Sequence, residues 1–154
     1  MQIFEWLQST ALAQALREYP SLTAVLSATH VIGFTLVMSG GVIWNLWATG
    51  ALLNAQASES MTRPAVRVLL AGLTISLVTG IVLFTPRAPG TVVSGVFQLK
   101  IALILAAATL QLALSSMVVR RTTSALRWLR AGGAIGLTLW LSLAVTACWF
   151  ILFE

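Results

Sequence analysis

The chain has 154 residues, 58% of them hydrophobic and only 8% charged, with nine Lys and Arg against four Asp and Glu. A soluble domain averages about 45–50% apolar and about 25% charged residues, so so few charges cannot cover a water-exposed surface of this size. An ordinary soluble enzyme, a disordered tail and a nucleic-acid module are all excluded. The net charge of +5 does not point to DNA, because the basic residues fall between long apolar runs, as membrane topology requires. A single cysteine rules out an intrachain disulfide framework and any multi-thiolate zinc or iron–sulfur site within one chain.

In chain order, the first element is residues 1–18. Ile3, Phe4, Trp6, Leu7, Leu12 and Leu16 alternate there with Gln2, Glu5, Gln8, Gln14, Arg17 and Glu18. This pattern predicts a short amphipathic helix lying on the membrane surface, with Ser9 or Thr10 capping a break within it. Glu5 stands where a signal peptide would be basic, and no small-residue cleavage site follows, so the segment is not read as a cleavable leader. Pro20 marks the turn into the first span.

Four apolar tracts follow. Tyr19 to Ser58 runs 40 residues without a formal charge, Val68 to Pro86 and Ile101 to Val119 run 19 each, and Ala131 to Phe153 runs 23. A helix needs about 20 apolar residues to cross the hydrocarbon core. Spans are therefore predicted near Leu22–Trp47, Arg63–Phe84, Val93–Val119 and Ala131–Phe153, with Thr62 capping the second ahead of Pro64. Open strands cannot cross lipid and no alternating segments suggest a barrel. The expected fold is all-α: one integral membrane four-helix bundle over 1–154 with an N-terminal interfacial helix. Thr85-Pro86-Arg87-Ala88-Pro89-Gly90 reads as a rigid turn between spans two and three.

Arginine counting orients the bundle. Arg63 and Arg67 precede span two, and Arg120, Arg121, Arg127 and Arg130 lie between spans three and four; only Arg17, Arg87 and Lys100 fall on the other side. Basic residues stay cytoplasmic, so both termini are expected outside, in an inner (cytoplasmic) membrane.

Small residues explain much of the rest. Gly72, Ser76 and Gly80 recur every four residues, as do Gly132 and Gly136, a spacing that lets helix backbones approach closely within the bundle or between copies. Trp44, Trp47 and Trp128 fit an inner aromatic belt, Trp6 and Trp149 an outer one, while Trp140 lies deeper as a packed side chain. Asn45 and Gln111 are candidates for interhelical hydrogen bonds.

His30, the only histidine, lies eight residues past Leu22, about 12 Å into the membrane. Three chemistries suit it: a hydrogen bond to a neighbouring helix, a cofactor ligand, or a proton relay. Ser27 and Gly33 flank it at helical spacing, and Gly40 and Gly41 extend the same side as a groove of small residues beside a neutral imidazole, the usual axial ligand to haem iron. Lys100 comes out at similar depth on span three. It either snorkels to the headgroups or points inward beside Gln98, ready with Arg87 to bind a carboxylate such as a porphyrin propionate. Cys148 offers at most a second ligand for a copper site at His30, and reads more simply as an inert thiol. No carboxylate lies inside a span, which argues against a pump or cation transporter. No nucleotide loop or nucleophile–base pair is present.

The runs Phe4-Glu5-Trp6-Leu7-Gln8-Ser9-Thr10, Leu12-Ala13-Gln14-Ala15-Leu16-Arg17-Glu18, Thr29-His30-Val31-Ile32-Gly33 and Phe97-Gln98-Leu99-Lys100 resemble a family of four-span bacterial membrane proteins defined as a domain of unknown function. The likeness covers nearly the whole chain. More distantly, a span-one histidine with a span-three lysine is similar to the HemJ-type protoporphyrinogen oxidases and the CopD-like copper-resistance proteins. The first resemblance implies haem b held by His30, with Lys100 as the matching lysine. With one histidine per chain, a second imidazole would come from a partner or another protomer. The expected function is thus a haem b or quinone-linked electron-transfer subunit, not catalytic alone, working as a homo-oligomer or with a redox partner. A structural accessory subunit and a copper-handling protein are the alternatives.

Overall fold

The structure, a computed structural model, describes residues 2–51, 58–119 and 125–153. Of the residues used in the arginine count, Arg120 and Arg121 lie outside this set. The elements are α1 (Gln2–Ser9), α2 (Ala11–Glu18), α3 (Pro20–Thr49), α4 (Ser58–Phe84), a 3-10 turn (Thr85–Arg87), α5 (Ala88–Val93), α6 (Gly95–Val119) and α7 (Ala125–Phe153). No strand occurs among the described residues. Four of the helices, α3, α4, α6 and α7, are long and apolar enough to cross a membrane. The chain is a multi-pass helical membrane protein.

Local chemistry sets most of the boundaries. Thr10 breaks the N-terminal segment in two, its hydroxyl accepting the N–H of Ala13 at the start of α2. Pro20 opens α3, where its missing N–H has no helical partner to lose. At the other end Gly50 takes a left-handed conformation (φ 82°), its N–H reaching Trp47 O while Ala51 N–H reaches Leu46 O. This paired closure satisfies the last carbonyls and favours glycine because a Cβ resists positive φ.

Two boundaries differ from expectation. The third span starts at Gly95 rather than Val93, because Ser94 turns extended (φ −66°, ψ 124°) and caps α6 through Phe97 N–H to its Oγ. Thr62 is not a cap: α4 begins at Ser58 and carries Pro64 inside it. The proline costs one carbonyl its helical N–H partner and does not end the helix.

Within the bundle α3 packs on both α4 and α7, and α6 packs on α7. The α3–α4 seam is the tightest. A Cβ on Gly72 would lie 2.6 Å from Gly33 O and Val37 N, and one on Gly40 would lie 2.5 Å from Ala65 O. Only glycine permits backbones this close, so dispersion between the two backbones contributes to the seam at these points. The interior is filled by Val37, Leu69, Ala107, Trp140 and Leu143 at one level and by Trp44, Ala48, Ala65 and Leu114 at another. Val25, Ile32, Val78, Ile81, Leu105 and Val145 are more than half exposed on the outer faces, where lipid replaces water as solvent.

The short helices close one end. Ala13 and Leu16 are buried, Gln8 Nε2 donates to Pro86 O (3.1 Å), and Phe4 meets Phe84 edge-on. Arg17 reaches back to Gln8 O. Ile3 and Trp6 stay exposed, an apolar pair available to a membrane surface. Phe84 also stacks on Phe97 at 5.4 Å, tying the end of α4 to the start of α6.

Candidate functional site: an imidazole between two spans

His30 sits in the upper third of α3, half-buried against α4. Its Nδ1 lies 3.0 Å from Thr79 Oγ1. Gly80 backs the ring: a Cβ there would stand 3.1 Å from His30 Cε1. Ser76, one turn earlier on α4, donates its hydroxyl to the His30 carbonyl at 3.3 Å. Three small or hydroxylated residues on one face of α4, Ser76, Thr79 and Gly80, therefore surround one residue of α3.

The hydroxyl contacts of Thr79 favour one imidazole tautomer. A threonine hydroxyl has one proton to give. Thr79 Oγ1 lies 2.7 Å from Ile75 O, the usual back-bond of a helical threonine. With its proton there, Thr79 Oγ1 is the acceptor that suits the Nδ1–H tautomer of the neutral ring. Nε2 is left with its lone pair, the form in which histidine binds metals, with the other nitrogen oriented by a hydrogen bond.

Lys100 is half-buried near the start of α6. The other residues expected at the site lie as follows. Arg87 ends the 3-10 turn exposed, and among the described residues no hydrogen bond joins it to His30 or Lys100. Gln98 is exposed and folds back onto Val92 O at 3.1 Å. Ser27 is half-buried one turn before His30. Cys148 is an exposed thiol, and no cluster of three or more His, Cys, Asp or Glu occurs among the described residues.

The groove expected beside His30 is filled. A Cβ on Gly33 would meet Ile75 Cγ2 and Ser76 Oγ at 2.8 Å, Gly40 is covered by α4 backbone, and Gly41 faces the Trp140 ring. These glycines serve helix contact, not ligand space. Sequence reasoning had Ser76 and Gly80 as packing residues and missed Thr79 altogether. The only signal was its place between them on one helical face, which gains meaning once the register of α3 against α4 is known.

Comparison of the chain with protein-family models, with curated proteins and with solved structures returns no match. Fold and site define a class by themselves: a multi-pass helical membrane protein with a histidine–threonine pair between its first two spans.

Proposed function

We propose that the protein is an electron-transfer subunit of a bacterial inner membrane, with both termini outside, that binds b-type haem through Nε2 of His30. The observation that carries this reading is the 3.0 Å contact of His30 Nδ1 with Thr79 Oγ1, whose hydroxyl also lies 2.7 Å from Ile75 O, an arrangement that suits the Nδ1–H tautomer. A haem held there supplies one-electron chemistry. The chain's own contribution is to orient the imidazole through Thr79 and to back it with Gly80, with Lys100 as the cation proposed to accompany it. A cation beside the iron favours the reduced state and suits a propionate. With one histidine per chain, a second iron ligand would have to come from a partner subunit or a second protomer. Because α4 and Trp140 cover the glycines, a haem would have to meet His30 on the part of its ring that α4 leaves uncovered.

That same filling favours a second reading, a structural accessory subunit in which His30 and Thr79 only bind α3 to α4. Titration of haemin into the purified protein separates the two. The haem reading expects saturable binding at one site per chain, or one per pair of chains, lost in His30→Ala. Equal binding by wild type and variant, or none by either, leaves the structural reading.

A further inference from the structure

A second polar cluster lies elsewhere in the bundle and has no part in the His30 site. Asn45 on α3 is 15 residues from His30, about 22 Å along the helix. It is fully buried, as is Trp140 of α7, and Gln111 of α6 is 3% exposed. Asn45 Nδ2 donates to Gly41 O (2.7 Å) and to Gln111 Oε1 (2.9 Å), joining two helices.

These contacts leave four buried polar atoms without a protein partner: Asn45 Oδ1, Gln111 Nε2, Trp140 Nε1 and Ser115 Oγ. Rotating the amides does not help. Turning Asn45 would set Oδ1 against the Gly41 carbonyl, two acceptors face to face. Keeping Asn45 as the donor requires Gln111 to present Oε1. The orientations are fixed, and so are the remaining needs: Asn45 Oδ1 lacks a donor, while Gln111 Nε2 and Trp140 Nε1 lack an acceptor. Each such atom left bare in an apolar interior is destabilising.

Two glycines set the layout. Gly41, one turn before Asn45, faces Trp140 Nε1, where a Cβ would stand 3.0 Å away. Gly136, one turn before Trp140, faces Asn45 Oδ1, where a Cβ would stand 2.2 Å away. The pattern is reciprocal across the α3–α7 contact. It brings the indole N–H and the amide oxygen to the same α3–α7 contact.

We infer that the α3–α6–α7 junction holds an internal water, accepting from Trp140 Nε1 and Gln111 Nε2 and donating to Asn45 Oδ1. The chemistry selects the ligand. A cation is repelled by the two N–H groups, an anion by Asn45 Oδ1, and an organic ligand would have to prise apart helices that touch through glycine. Water alone donates and accepts at this size, and three bonds are its usual complement when buried. Its second proton is left for Ser115, one turn along α6 from Gln111. The water then links α3, α6 and α7, so that their register depends on all three side chains.

The test uses the full-length protein in detergent micelles with 15N-labelled tryptophan. The Trp140 indole proton, assigned by its absence in Trp140→Phe, is expected to show a cross-peak to water in rotating-frame exchange spectra despite its burial. Asn45→Leu is expected to abolish that cross-peak. Absence of the cross-peak in the wild type, or its persistence unchanged in Asn45→Leu, overturns the inference. Hydroxyl-radical footprinting of the wild type needs no variant: Trp140 is expected to be oxidised beside the exposed Trp128. Protection of Trp140 while Trp128 is modified overturns it equally.

Discussion

Replacing Thr79 with valine keeps the branched shape and removes the one group that holds His30 Nδ1. Thr79 is 7% exposed, so no bulk water fills the role. The lost bond to Ile75 O matters little, because that carbonyl keeps its helical partner. The lost interhelical bond is worth about 0.6 kcal/mol on average in membranes, and at most about 1.7 kcal/mol. Stability of Thr79→Val in a detergent unfolding titration should therefore fall by about 1 kcal/mol. Haem affinity should fall further, by about 10–100-fold, as it does when the group orienting a metal-bound histidine is removed. That is about 1.4–2.7 kcal/mol, and the two effects are separated by their readouts, unfolding for stability and haem titration for affinity. Haemin titration followed at the Soret band reads the affinity, and Thr79→Ser, which restores the hydroxyl, should recover most of it. Unchanged haem affinity in a variant whose stability has dropped would refute the orienting role and with it the tautomer argument.

Other perturbations address the remaining parts of the account. Gly72→Ala pushes a methyl to 2.6 Å from backbone on α3; the seam must open by nearly an ångström, and unfolding titrations should show a loss of about 2–3 kcal/mol. Gly90→Ala, with nothing within 4 Å, is the control and should be neutral. Lys100→Met should lower the haem midpoint potential in a redox titration, since the reduced state loses a neighbouring cation; a rise or no change would remove Lys100 from the site. Gly80→Leu drives a side chain into the His30 ring, so it should reduce haem binding and leave assembly size in nanodiscs unaltered. Reporter fusions at Ser58 and Thr123 should read cytoplasmic, and a periplasmic signal at either reverses the proposed orientation.

The bundle was legible because lipid imposes a length and composition on each span that survive without knowledge of packing. The break at Thr10, the turn at Pro20 and the Asn45–Gln111 bond were also readable, being local or forced by burial of polar groups. Register was not. The stripe Gly72, Ser76, Gly80 announces a close contact but not its partner, and only the pairing with Gly33, Val37 and His30 shows that it works within the chain. Gly33, Gly40 and Gly41 illustrate the ambiguity in the other direction: the same missing side chains read as ligand space and turn out to be filled by α4 and Trp140. Thr79 escaped notice because a helical threonine normally back-bonds to its own helix, which it also does here. Lys100 was proposed by counting depth alone, a one-dimensional argument that needs no packing.

The most direct measurement of the central claim is the absorption spectrum of the protein purified from haem-replete membranes, recorded oxidised and after reduction. The account predicts a Soret band that shifts on reduction with the sharpened visible bands of a b-type haem, and its disappearance in His30→Ala protein that still folds and inserts. A colourless wild-type protein, or a His30→Ala spectrum identical to that of the wild type, would contradict it.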